Sequence, residues 1–177
     1  MRLFIAVNFS DEIKKQIQLV QDQLRSQASG GSFSRSENFH ITLVFLGETP
    51  EEKTESLFRI IDAIEAPLFD ITFNRTGCFT HSRKELWWIG ADRNSLGFPV
   101  LLSIHAQLIS RLLDAGFPTD TRPFNAHITL AREVKHVERI VLDKPDIKPC
   151  INRISLMKSE RIRGVLTYTE IYTKKLN

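Results

Sequence analysis

Two copies of one tetrapeptide carry the residue types that can do chemistry. His40-Ile41-Thr42-Leu43 recurs as His127-Ile128-Thr129-Leu130, about half the chain later. Each copy lies in a run rich in β-branched residues and reads as a strand. Side chains alternate faces along a strand. His40 and Thr42 therefore share one face, while Ile41, Leu43 and Phe45 share the other, buried one. The same parity sets His127 and Thr129 against Ile128 and Leu130. Two such strands, related by a pseudo-two-fold axis, place two imidazoles and two hydroxyls across one cleft.

Facing imidazoles suit a reaction that needs a base on one side of an atom and an acid on the other. Histidine is the side chain whose ordinary pKa allows both states near neutral pH. The threonine hydroxyls can donate to an oxyanion held between the rings. A phosphodiester undergoing in-line attack at phosphorus fits this arrangement. Arg132 is the candidate cation for the non-bridging oxygens, yet strict alternation puts it on the face opposite His127. It is expected to reach a phosphate only if the strand ends or twists there.

The other three histidines carry less. His105 falls on the apolar stripe of a helix and is expected to be a semi-buried core residue. His81, beside Ser82, Arg83 and Lys84, reads as part of a solvated polar loop, and His136 as exposed in a charged segment. No H-x-H or H-E-x-x-H pattern and no carboxylate cluster supports a metallohydrolase. Cys78 and Cys150 lie far apart, so neither a disulfide framework nor a zinc ribbon is expected. No metal and no cofactor are called for.

The elements that must position these residues follow from periodicity and punctuation. Leu3 to Phe9 reads as a strand. Ser10 then caps a helix carrying Ile13, Ile17, Val20 and Leu24. Ser29-Gly30-Gly31-Ser32 reads as a flexible link. Thr49-Pro50-Glu51-Glu52 reads as a capping box for a helix with Leu57, Ile60, Ile61 and Ile64 on one stripe. Strands are expected at Phe69 to Phe73 and Leu86 to Gly90, then a helix from about Pro99 to Ala115 stopped by Gly116 and Pro118. Ala126 to Ala131, Ile151 to Met157 and Val165 to Thr173 complete the strands, the last two turned at Arg163-Gly164, with loop over Lys135 to Pro149. Helices and strands mix without strict βαβ alternation. The class is therefore α+β, with antiparallel-rich sheet and helices on its outer faces.

Composition bounds the rest. The chain has 177 residues, 42% hydrophobic and 25% charged, which excludes disorder as the main state. No apolar stretch approaches a membrane span, and the first residues lack a signal-peptide pattern, so a cytoplasmic monomer with no membrane partner is expected. The net charge of +3 mildly favours an anionic partner. Arg153, Lys158, Arg161 and Arg163 form a basic run that is either a solvated hairpin or a surface steering RNA. Phe45, Phe79, Trp87, Trp88 and Phe124 could stack on a base, although most are expected in the core, and one of Trp87 and Trp88 must face outward.

These motifs resemble those of the two-histidine (2H) phosphoesterase superfamily, and more narrowly the RNA 2′,3′-cyclic phosphodiesterases, also called 2′-5′ RNA ligases. The resemblance spans nearly the whole chain. It is carried by Arg2-Leu3-Phe4-Ile5-Ala6-Val7, by Glu37-Asn38-Phe39-His40-Ile41-Thr42-Leu43-Val44-Phe45-Leu46-Gly47-Glu48, and by Arg122-Pro123-Phe124-Asn125-Ala126-His127-Ile128-Thr129-Leu130-Ala131-Arg132. The family commonly has Pro where Ala126 stands.

The resemblance implies a bilobal fold, one domain over residues 1–177, with two interleaved pseudo-symmetric lobes around a central cleft. It implies hydrolysis of an RNA or nucleotide 2′,3′-cyclic phosphate to a 2′-phosphomonoester, and possible 2′-5′ ligation by the reverse chemistry. It implies that His40 is the proton donor, His127 the proton acceptor, and that Thr42, Thr129 and Arg132 bind the phosphate. The identical motifs do not by themselves distinguish acid from base. The competing expectation is a non-catalytic RNA-binding module on the same fold, against which both intact His-Thr pairs argue.

Overall fold

The computed structural model describes residues 1–82, 84–119 and 122–177. Its centre is one twisted sheet in which all strand pairs are antiparallel. In chain order the strands are β1 (Arg2–Asn8), β2 (Gly30–Phe33), β3 (His40–Glu48), β4 (Phe69–Asp70), β5 (Phe73–His81), β6 (Lys84–Ala91), β7 (His127–Lys135), β8 (Cys150–Ile151), β9 (Arg153–Ile162) and β10 (Val165–Lys175). The spatial order is β10-β9-β1-β3-β7-β6-β5, with β2 also along β7, and β4 paired with β8 apart from it. The helices are α1 (Asp11–Gln27), α2 (Thr54–Asp62) and α3 (Phe98–Asp114).

Burial parity assigns the two faces of this sheet. Leu3, Ile5 and Val7 of β1 join the main core with Ile17 and Leu24 of α1, Leu57 and Ile61 of α2, and Leu101 and Leu108 of α3. Phe4 and Ala6, the alternate residues, form a small cluster with Met157 beneath Tyr168 on the other face. The helices thus cover one face and leave the other to the cleft. They also cross between halves. Gln21 of α1 bonds the backbone of Leu130 in β7, while α3 packs against β3.

Three local readings are corrected by tertiary contacts. The Gly30-Gly31 segment is strand β2, not a flexible link, and pairs with β7 through Ser32↔Arg132 and Phe33↔Ala131. Its glycines let it lie close: a Cβ on Gly31 would sit 3.1 Å from Val134 Cα, and its φ is 147°. Thr49 is not an N-cap. It is buried, its N–H donates to the Met1 carbonyl at 2.8 Å, and α2 begins only after a 3₁₀ turn at Glu51–Lys53. The strand expected at Phe69 to Phe73 divides into β4 and the start of the much longer β5, which forms a hairpin with β6. Thr80, His81 and Lys84 belong to that hairpin, and Arg83 lies outside the described residues.

Other readings hold. Ser10 Oγ accepts from the Ile13 N–H at 3.4 Å to start α1. The last hairpin turns at Arg163-Gly164, both at positive φ (49° and 82°), a conformation glycine adopts without steric cost. No helix is long and apolar enough to cross a membrane, among the described residues.

Candidate active site

β3 and β7 touch through a single backbone pair, Ile41↔Ile128. These are the second residues of the two tetrapeptides, so a local two-fold axis passes between them. Both side chains are fully buried under the helices. By alternation His40, Thr42, His127 and Thr129 project to the opposite face, and all four line a cleft of about 810 Å³.

Each imidazole is fixed the same way. His40 Nδ1–H donates to the Asn38 carbonyl at 2.6 Å, and His127 Nδ1–H donates to the Asn125 carbonyl at 2.7 Å. A carbonyl only accepts, so this bond sets the tautomer and leaves Nε2 as the reacting nitrogen. The Thr42 hydroxyl lies 2.9 Å from His40 Nε2 and donates to it when the ring is neutral. An aromatic ring stands edge-on to each imidazole: Tyr168 at 5.2 Å and 87° from His40, Phe79 at 5.4 Å and 90° from His127. Phe4 adds a tilted contact to His40 at 5.0 Å.

Burial pushes the His40 pKa down to about 4, and the charges of His127, Arg132 and Lys14 push the same way. The hydrogen bond to Asn38 opposes them. His127 is also lowered, by burial first and by Arg132, against the bond to Asn125. Burial thus favours the neutral form of both rings.

Two β-bulges at matching positions change what the strands present. In β3, Ile5 pairs with Val44 but Ala6 pairs with Thr42, leaving Leu43 as the extra residue. In β7, Trp87 pairs with Ala131 but Trp88 pairs with Thr129, leaving Leu130 extra. Leu43 and Leu130 are the fourth residues of the two tetrapeptides. An extra residue reverses the alternation beyond it. Leu43 and Val44 are both buried, as are Leu130 and Ala131. Phe45 and Arg132 then emerge on the cleft face, the same face as the histidines.

Two expectations are corrected by this geometry. Phe45, assigned by strict parity to the core, is 46% exposed and stacks under Arg2 at 5.1 Å. Arg132, assigned to the far face, lines the cleft, and its charge acts on both imidazoles. The bulge is held from behind. Gln21, fully buried, donates through Nε2 to the carbonyls of Leu130 and Ser34, each at 2.7 Å, and the Ser34 N–H also donates to Leu130 O.

The remaining candidates separate. His105 lines the cleft wall and stacks on Phe124 at 4.3 Å. His81 is exposed at the hairpin end. His136 is not an exposed residue: it is partly buried, with Nε2 3.0 Å from Glu85. Trp87 packs on the core, while Trp88 lies against Gly77 and Gly90 with Phe79 over it. Among the described residues lining the cleft are Arg2, Arg35, Arg122, Arg132 and Arg161, and Arg35 is paired with Glu37 at 3.2 Å. Sequence reasoning gave no role to Tyr168, which nothing local marks. It also left unread the Asn two positions before each His, although N-x-H-I-T-L recurs whole at residues 38–43 and 125–130.

Paired His-x-Thr strands around a two-fold axis, on an antiparallel sheet backed by helices, define a two-histidine phosphoesterase. The comparisons agree. The LigT-like phosphoesterase family model matches residues 7–88. An RNA 2′,3′-cyclic phosphodiesterase of Archaeoglobus fulgidus is 32% identical over 133 residues, covering 75% of this chain and 72% of the relative. One from Thermotoga maritima is 29% identical over 170 residues, covering 90% and 87%. The crystal structure of Escherichia coli LigT complexed with 3′-AMP superposes with a TM-score of 0.85 at 28% identity, covering 99% of this chain and 97% of that one. The chain belongs to the LigT-like phosphoesterase family.

Proposed function

We propose that this protein is an RNA 2′,3′-cyclic phosphodiesterase whose 177 residues act as one unit, each half supplying one histidine. The observation that carries the reading is the two-fold placement of His40-Thr42 and His127-Thr129 in one arginine-lined cleft. The relatives named as RNA 2′,3′-cyclic phosphodiesterases support it.

In this reading the cyclic phosphate lies between the two Nε2 atoms. His127 accepts a proton from water as its oxygen attacks phosphorus. The P–O3′ bond breaks, and His40 gives its proton to O3′. The product carries a 2′-phosphomonoester and a free 3′-hydroxyl, and solvent resets the two protons. Thr42, Thr129 and Arg132 hold the non-bridging oxygens, where charge accumulates. Binding itself assists the acid: a phosphodiester anion opposes the pKa lowering that burial and Arg132 impose. Protonation of His40 also ends its acceptance from Thr42. Nε2–H is then available to O3′, and the freed Thr42 hydroxyl donates to a phosphate oxygen. Ligation to a 2′-5′ bond follows the same path with a 5′-hydroxyl in place of water: the P–O5′ bond forms as the P–O3′ bond breaks.

The test is an RNA ending in 2′,3′-cyclic phosphate, incubated with EDTA present. A 2′-phosphate product that is lost in His40→Ala and His127→Ala is the expected result. A 3′-phosphate product, or none from the folded protein, overturns it.

A further inference from the structure

The β9–β10 hairpin overhangs the sheet. β1 pairs with β9 only from Ser155 to Lys158, yet β9 and β10 stay paired out to Ile162 and Val165. The ribbon from Ser159 to Tyr168 therefore stands beside the cleft as two strands. Its cleft side carries Ser159, Arg161, Leu166 and Tyr168. Asn38, just before His40, ties it down by donating from Nδ2 to the Leu166 carbonyl at 3.0 Å. The one carboxylate in this stretch, Glu160, is held by Lys158 at 2.8 Å. Arg163 projects at the tip.

We infer that this ribbon is the docking arm for the RNA strand that precedes the cyclic phosphate. The inference rests on the proposed reading of the site, and specifically on His40 as the acid. Both oxygens of the cyclic phosphate belong to the terminal ribose. The group that protonates O3′ therefore stands on the ribose side of phosphorus, and the attacking water on the other. The ribose and all RNA upstream of it lie on the His40 side. That side is walled by Tyr168, 5.2 Å from His40, and continues along the ribbon. A flat ring, an exposed leucine and two guanidinium groups, with Arg161 held to the Gly164 carbonyl at 2.9 Å, are what a single strand needs: surfaces for bases and charges for phosphates.

The test uses the full chain and a 5′-labelled oligoribonucleotide of about ten residues that ends in a 2′-phosphate, the reaction product, so binding is read without turnover. The variant is Arg161→Gln with Arg163→Asn, asparagine tolerating the left-handed turn. Its dissociation constant is expected to rise about tenfold at moderate salt, and the slope of log affinity against log salt to become shallower by about 1.4. Affinity for a 2′-phosphorylated mononucleotide falls less than that for the oligomer, because one nucleotide can reach Arg161 at the cleft wall but not Arg163 at the tip. An unchanged oligomer affinity and slope, or an equal loss on the mononucleotide, overturns the inference. So does a larger oligomer loss in Arg35→Gln, which places the strand on the opposite bank. Hydrolysis of a cyclic mononucleotide by the same preparations tests the site separately. Its failure with intact ribbon-dependent binding indicts the catalytic reading alone.

Discussion

Ile41 and Ile128 are backbone partners, and they occupy the same position in two copies of one motif. One pair of buried residues thus marks the axis that relates the two catalytic candidates. In the proposed mechanism symmetry in position is not symmetry in role, because His40 and His127 there carry different protons at the start of the reaction. Removing either should stop the relay. His40→Ala and His127→Ala are each expected to lower kcat by about a hundred- to ten-thousandfold. The double variant should cost little more than one. Multiplying losses in single-turnover rates would mean independent action.

Arg132 faces the cleft only because Leu130 bulges, and Gln21 holds the Leu130 carbonyl. Gln21→Leu should therefore lower kcat about tenfold while costing on the order of 1–2 kcal/mol of stability. In an Arg132→Gln background the same change should leave kcat nearly unchanged. A full additional loss there, measured beside urea unfolding, would assign Gln21 to folding alone.

The pH–rate profile should be bell-shaped, since one ring must be neutral and the other charged. Both histidines are lowered in the free protein. The kcat/KM profile, which reports the free enzyme, should thus peak on the acid side of the ordinary histidine range. The kcat profile should peak at higher pH, because the bound anion raises the acid's pKa. Superimposable profiles would remove that coupling.

Stability should fall as the solution is acidified. His40 has a folded pKa of about 4 against 6.5 for the ordinary imidazole, so the unfolded chain binds its proton first. That contribution is intact above the unfolded value and is lost progressively as pH falls toward the folded one. Between about pH 7 and pH 5 it amounts to roughly 1–2 kcal/mol. Urea unfolding of wild type and His40→Asn should show the wild type losing that much more stability. Parallel losses would locate the acid sensitivity elsewhere.

Substituting Thr42 by Val keeps the shape and removes the hydroxyl that bridges His40 Nε2 to the cleft. Turnover should drop by about ten- to a hundredfold with the fold intact, since one oxyanion donor is lost. An unchanged rate would take the hydroxyl out of the mechanism.

The sequence alone determined how the candidate residues are arranged along their strands. Two copies of His-x-Thr on strands specify which side chains share a face, because alternation is a local property of extended backbone. It also determined the first helix, through Ser10 and its apolar stripe, and the final hairpin, through Arg163-Gly164. Tertiary structure decided the rest. Gly30-Gly31 became a strand because β7 supplied hydrogen-bond partners that local propensity does not encode. Phe45 and Arg132 reached the cleft because neighbouring strands accepted an extra residue at Leu43 and Leu130. A bulge is a property of two paired strands, and no single strand's pattern contains it. Tyr168 joined His40 across the width of β1 and β9, a proximity set by sheet order alone. Local sequence fixes which way a side chain points relative to its neighbours. What it points at is set by the packing of segments far apart in the chain.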